Sequence, residues 1–337
     1  MTGNILPLGK LPAEVLAEML AGAPLDDERV LLGPGIGLDC AVVAPSGDLL
    51  VFKSDPITFA TDNIGWYGVQ VAANDIVTTG ATPRWYLVTL LLPEGMTDAA
   101  LVESIRQQLF DACRQQGISL IGGHTEITYG LTRPILVGTM IGEVPPERLV
   151  TPRGARPGDV LLLTKGVPIE ATALLAREVP ERLEGILNEA ELKEAAAFLH
   201  SPGISITRDA QVAMRAGRVT AMHDPTEGGL AAALWELAQA TGRSLRVDIS
   251  AVPVPLLSRR ICAALGLDPL SAIASGALLM TVAAEDAFAV QAALQQEGIA
   301  CAQIGYVEEG EALVWTTTET LLVRPERDEI ARVFEAN

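Results

Sequence analysis

The sequence is short of histidine, of paired cysteine, of positive charge and of long apolar runs, and each shortage excludes something. Its three histidines, His124, His200 and His223, stand too far apart for a zinc-type ligand spacing, so no zinc site is expected. Its four cysteines, Cys40, Cys113, Cys262 and Cys301, form no CxxC pair, and reduced thiols in a cytoplasmic protein are expected rather than a disulfide framework. No apolar run approaches the roughly eighteen residues needed to cross a bilayer. The longest, WYLVTLLLP and VLLLT, have the length of buried strands. The opening MTGNILPLGKLPAEV carries neither the basic flank nor the apolar core of an export signal. Lys and Arg number 24 against 42 Asp and Glu, a net charge of −18. Such a surface repels nucleic-acid phosphates and anionic membranes, so neither is an expected partner. A polyanionic small ligand would need metal ions or backbone dipoles to bind here.

What is present is a chain of 337 residues, enough for two ordinary domains. PAEVLAEMLA reads as a short helix opened by Pro12, and AVVA and LLVFK read as a hairpin across Ser46-Gly47. NIGWYGVQVAANDIVTTGA has helical length, RWYLVTLLLP is a buried strand, and ALVESIRQQLFDACRQQG is an amphipathic helix ending at Gly117. ISLIGGHTE and PILVGTMIGEV follow as strands. The Pro/Gly/Arg-rich VTPRGARPGD, 150–159, is the best boundary and divides the chain into 1–148 and 149–337. The second half alternates strands (VLLLTKG, SLRVDIS, GALLMTVAA, AQIGYVEE, ALVWTT) with helices, GGLAAALWELAQATG foremost. Mixed hairpins and helices in both halves predict an α+β fold.

Two phosphate-binding signatures fail. GNILPLGKL places five residues, not four, before Gly9-Lys10, and Leu11 stands where a P-loop needs Ser or Thr. The glycines of GPGIGLDCAVV precede a strand instead of joining a strand to a helix. What remains is a set of carboxylates in unusual places. Asp39 lies between a glycine-rich loop and CAVV, and Asp55 ends LLVFKSD. Asn74 and Asp75 interrupt a helix apolar nearly all round, where a carboxylate must be paired or bind metal. Glu126 follows Gly122-Gly123-His124-Thr125, and Asp224 precedes Thr226 and Gly228-Gly229 in HDPTEGGL. Each alone fits a turn residue or a helix start capped by Thr226. Together they suit magnesium, a hard cation that takes few side chains and keeps phosphate oxygens as its other ligands. The glycine pairs would let phosphate approach backbone N–H groups, the second at a helix N-terminus.

GPGIGLDCAVV, KSDPITFATDNIGWYGVQVAANDIVTTGATPRW, IGGHTE, HDPTEGGL and ASGALLMTV occur in the order and approximate spacing of one superfamily. It holds aminoimidazole ribonucleotide (AIR) synthetase, HypE, thiamine-monophosphate kinase and selenophosphate synthetase. The chain resembles it over roughly residues 8 to 320, and the opening GKLPAEVLAEML is most similar to the HypE-like, AIR synthase-related members. The resemblance implies a two-domain PurM/HypE-like fold. Residues 1–148 would bind ATP, and N-terminal strands would form a barrel shared across a homodimer. By position, Asp39, Asp55, Asp75 and Asp224 match metal-binding acids, with Asp75 and Asp224 the pair assigned to catalysis. Glu126 joins them at the metals. Asn74, Gly122, Gly123 and Thr125 match phosphate contacts, with Gly228 and Gly229 beside them. The implied chemistry is magnesium-dependent transfer of the ATP γ-phosphoryl group to an amide- or carboxamide-like oxygen, with release of ADP. The rivals are a kinase like thiamine-monophosphate kinase and a non-catalytic nucleotide-binding partner in a maturation complex.

Departures from the pattern bear on the substrate. HypE carries its carbamoyl group on a terminal cysteine, whereas this sequence ends RDEIARVFEAN and its last cysteine is Cys301. Selenophosphate synthetase uses a thiol or selenol in a segment that here offers Lys10 alone. The first motif holds Leu38-Asp39 where much of the superfamily has two acids. Cys40 reads as a small core residue, Lys53 as a solvated strand lysine, and His124 and His223 take no assigned role.

Overall fold

The computed structural model describes residues 9–10, 13–32, 42–57 and 62–334. Asp39 and Cys40 lie outside them. The chain divides into two compact units. The first holds the residues up to Val77 together with Ala81–Leu149, and the second holds Thr78–Gly80 and everything from Val150 onward.

The first unit comprises β1 (Gly9–Lys10), α1 (Ala13–Leu20), β2 (Val30–Leu32), β3 (Val42–Val43), β4 (Leu49–Ile57), α2 (Ile64–Val77), β5 (Thr82–Pro93), α3 (Ala99–Gln116), β6 (Ser119–Thr128) and β7 (Ile135–Val144). Its sheet runs β1-β6-β5-β7-β4, with β5 and β6 parallel and joined through α3, and the other neighbours antiparallel. Helix α3 starts where Asp98 accepts the Leu101 N–H (2.9 Å) and stops at Gly117 in the left-handed region (φ 66°). Alternation fixes the faces of the sheet. Tyr86, Val88, Leu90, Leu92, Leu136 and Met140 point to α2 and α3 and form the core with Ile64, Val69, Ile76 and Leu109. The opposite face is partly covered by the segment before β4. There Arg29 and Ser46 bond the buried Glu143 (2.5 and 2.9 Å), and Arg29 stacks over Trp85. Beyond that segment Leu50 and Phe52 stand exposed on β4.

The hairpin expected across Ser46-Gly47 does not form. Val42–Val43 pairs with β2, and β4 pairs along its whole length with β7. A two-residue strand offers little ladder, and Ser46 is engaged by Glu143 instead of a tight turn. β4 also runs two residues past Asp55, through Pro56. An edge strand tolerates a proline because one side of its backbone needs no ladder donor.

The second unit comprises β8 (Val160–Thr164), α4 (Ile169–Glu178), α5 (Glu189–Ala196), α6 (Thr207–Ala216), β9 (Val219–His223), α7 (Gly229–Thr241), β10 (Ser244–Val247), α8 (Leu256–Leu265), β11 (Leu279–Val282), α9 (Ala287–Gln296), β12 (Cys301–Glu308), β13 (Val314–Thr316) and α10 (Ala331–Phe334). Its sheet runs β13-β10-β12-β8-β11-β9 and is antiparallel except between β10 and β13. Leu161, Leu163, Ala221, Leu279 and Ile304 meet Leu230, Ala233, Leu234 and Leu237 of α7 in its core. Strand β9 and helix α8 carry no periodic signal strong enough to read in the sequence. The α+β class is as expected. Among the described residues no helix is long and apolar enough to cross a membrane.

Candidate functional site

Two of the expected acids meet in the first unit. Lys53 and Asp55 are two residues apart on β4 and therefore share the face turned to α2. The Lys53 ammonium lies 3.0 Å from Asp55 Oδ2 and 3.2 Å from Oδ2 of Asp75 on α2. Burial pushes the Lys53 pKa down, but the charges of Asp75 and Asp55 and their hydrogen bonds outweigh it, so the net shift is upward. Lys53 is thus not the free surface lysine expected on β4 but the cation that neutralises both acids. Asn74, the neighbour of Asp75, is wholly buried. Glycines make this junction possible. A Cβ at Gly65 would lie 2.8 Å from the Ile105 carbonyl, so α2 packs tightly on α3, and a Cβ at Gly138 would lie 1.8 Å from the Tyr86 hydroxyl.

The IGGHTE residues are placed elsewhere. Gly122, Gly123, Thr125 and Glu126 lie within β6, not in a loop after it. The register of β6 against β5 slips where Tyr86 faces Leu120 and Leu87 faces Gly122. Gly123 follows with φ +147°, and a Cβ there would sit 1.8 Å from the Val88 carbonyl oxygen. Its glycine is required by the approach of β5, whatever else binds there. Thr125 pairs with core-facing Leu90, whereas Glu126 pairs with Leu91 and bonds His124 (3.2 Å) on the opposite face. Glu126 and the Asp55–Asp75 pair therefore lie on opposite faces of one sheet.

In the second unit β9 ends at His223, and Asp224 follows it with 4% of its surface exposed. Among the described residues Asp224 Oδ2 has no hydrogen-bond partner. His223 Nε2 bonds Glu236 (3.0 Å), and its Nδ1 lies 3.8 Å from Asp224 Oδ1. Burial lowers the imidazole pKa, but the bonds to Asp224 and Glu236 prevail and raise it to about 9, so His223 is a cation at neutral pH. Gly228 and Gly229 do open α7, but the Gly228 N–H already donates to Asp328 Oδ2 (2.6 Å) and the Ala231 N–H to the Leu270 carbonyl. A Cβ at Gly229 would meet the carbonyl oxygens of Leu270 and Ala272 at 2.6 Å. These glycines seat the helix start against the 270–272 turn, and protein groups hold N–H groups that the sequence assigned to phosphate.

Among the described residues no group of three or more His, Cys, Asp or Glu converges as a metal cage. Magnesium, which needs only one or two carboxylates, fits the oxygen pair of Asp55 and Asp75 and the unpartnered Asp224 oxygen. Described thiols fit no nucleophilic role. Burial pushes Cys113, Cys262 and Cys301 each up to about 12. Two acids escaped the sequence reading. Asp328 sits in the charged tail RPERDE, where nothing distinguishes it. Glu170 stands alone in the apolar start of α4, the same signal that exposed Asp75.

Comparison with known proteins agrees with this architecture. Residues 37–144 match the AIR synthase related protein N-terminal domain and residues 156–316 its C-terminal domain. The carbamoyl dehydratase HypE of Cupriavidus necator is 30% identical over 294 residues, 85% of this chain and 79% of that protein. HypE of Escherichia coli is 30% identical over 281 residues, covering 81% and 80%. A crystal structure of the hydrogenase maturation protein HypE in complex with ATP superposes with a TM-score of 0.74 at 25% identity, covering 92% of this chain and 95% of that one. With both domain models matched in order and this identity sustained across the chain, the protein belongs to the AIR synthase-related family, among its HypE-like members.

Proposed function

We propose that this chain is an ATP-dependent enzyme of the HypE type that phosphorylates an amide- or carboxamide-like oxygen and releases ADP. Residues 1–148 would form the ATP-binding domain. The observation that carries the assignment is the convergence of Asp55 and Asp75 on one cation, in a chain that matches ATP-binding HypE over nine-tenths of both lengths. Asp55 and Asp75 are the proposed magnesium ligands of the first unit and Asp224 is that of the second, each taken by itself, and the metal would neutralise phosphate charge. Glu126, turned to the other sheet face with His124, is a separate polar station. Lys53 holds the metal's place between Asp55 and Asp75 and keeps the two carboxylates oriented until the metal displaces it.

A homodimer is the proposed assembly. Helices cover one face of the first unit's sheet, while the other leaves Phe52 62% exposed beside Leu50, an apolar surface that a second copy would bury. The proposed location is the cytoplasm, in keeping with free thiols at Cys113, Cys262 and Cys301. The proposed acceptor is a small molecule or a group borne on a protein.

The test is the fate of the γ-phosphate. Purified protein with magnesium and ATP, with and without carbamoyl-bearing metabolites, should form ADP and free phosphate only when the acceptor is present. Phosphate retained on a metabolite would identify a kinase. Tight nucleotide binding with no turnover under any acceptor would identify a non-catalytic binder.

A further inference from the structure

Glu170 lies in the first turn of α4, with 7% of its surface exposed, in a helix whose other buried residues are Ile, Ala, Thr and Leu. Ser275 holds one carboxyl oxygen through both its hydroxyl and its backbone N–H. The other, Oε2, is buried and has no hydrogen-bond partner among the described residues. A buried acceptor left without a donor is costly and rare, and it calls for a group that the fold itself does not supply.

The surroundings define that group. The charged side chains that act on Glu170 are Asp328, in the segment before α10, and Glu227, in the turn before α7. Neither carboxyl is bonded to Oε2. Asp328 is itself engaged as an acceptor by backbone N–H groups of Gly228, Ile273 and Ile330. The turn that carries Ser275 is fixed on every side. The Ala171 N–H of α4 donates to Ile273 O, the Glu329 N–H donates to Ser271 O, and a Cβ at Gly276 would lie 2.8 Å from the Gly203 carbonyl. The backbone N–H of Ser275 thus cannot turn toward Oε2 without breaking this frame. Anions are repelled by three acids in one neighbourhood, so the partner is a hydrogen-bond donor and not a phosphate.

We propose that Glu170 and Ser275 form a subsite in the second unit that accepts an N–H hydrogen of a primary amide, with Oε2 as the acceptor. The inference rests on the amide-type acceptor assigned above and names the residue that recognises its nitrogen. A primary amide presents a neutral N–H that a buried carboxyl can bind without taking a second charge out of water. An ammonium ion presents the same donor with that extra desolvation. The buried carboxyl, raised to about 7 chiefly by burial, stands near the point where proton exchange with a bound nitrogen is easiest.

The test reads Glu170 directly. The carboxyl band lost from the infrared spectrum of the full chain on E170Q isolates this side chain, and E170D supplies the difference if E170Q does not fold. Acetamide should shift that band saturably, while N,N-dimethylacetamide, which has no N–H, should leave it in place. A band unmoved by acetamide, moved equally by both amides, or moved by methylammonium alone overturns the subsite. ADP formation from magnesium and ATP in the same samples separates the two levels. A shifted band without ADP keeps the subsite and removes the phosphorylation reading. Acetamide-dependent ADP formation equal in wild type and E170Q, with the band unmoved, removes the subsite alone.

Discussion

Lys53, Asp55 and Asp75 are all partly exposed, and ion pairs at such positions contribute only about 0–1 kcal/mol each. Their arrangement is therefore poor insurance for the fold and well suited to a ligand. Asp75→Asn should leave the unfolding midpoint within a few degrees yet weaken magnesium-dependent nucleotide binding by about tenfold or more, roughly 1.4 kcal/mol, in titration calorimetry with and without magnesium. Asp224→Asn should weaken that binding likewise, and unchanged binding in both variants would remove the site assignment. Glu170 makes the opposite trade. Its carboxyl is raised from 4.5 to about 7 in the folded protein, first by burial and further by Asp328 and Glu227. The folded state thus binds the proton more tightly than the unfolded chain. The stability this contributes is complete below about pH 4.5 and is lost as pH rises through about 7. Glu170→Gln, which cannot ionise, should gain in melting temperature relative to wild type between pH 5 and pH 8. A difference that does not change with pH would mean the carboxyl is already neutralised in the fold.

At the scale of elements, β6 shows where sequence reasoning stops. Its two glycines were read as a gap for phosphate, and the structure gives Gly123 a sufficient packing reason in the carbonyl of Val88. Gly123→Ala should cost more than about 2 kcal/mol in urea unfolding, since both the positive φ and the contact forbid a side chain. Unfolding at the wild-type midpoint would show that β5 can retreat. Local signals served well elsewhere. Gly117 ends α3 as read, and GGLAAALWELAQATG is helix α7 from Gly229 to Thr241. Partnering was not legible. Nothing in AVVA or LLVFK says that one joins β2 and the other β7, because strand pairing is decided by residues far along the chain. The same limit governed the sites. An acid in an apolar helix announced Asp75, but which cation faced it depended on β4 crossing α2. That Asp328 would reach Gly228, a hundred residues away, had no local trace at all.

For the whole molecule, the open face of the first unit's sheet matters most. Phe52→Asp places a charge at the centre of the exposed apolar patch and should shift the protein from dimer to monomer in sedimentation velocity, with the melting temperature of the monomer little changed. A wild type that sediments as a monomer, or a variant that remains dimeric, would place the assembly surface elsewhere. The same strand has another side to its character. Among the described residues β4 ends the sheet, and its nine-residue edge beside Leu50 and Phe52 is the kind of edge that foreign strands add to. Lys53 and Asp55 sit mid-strand with charges pointing inward, and Pro56 denies the edge a donor. Any strand that docked alongside would have to cover an ammonium already committed to Asp55 and Asp75. The residues proposed to hold a nucleotide's metal thus also act as gatekeepers, protecting an acidic and otherwise sticky chain from polymerising through its own edge.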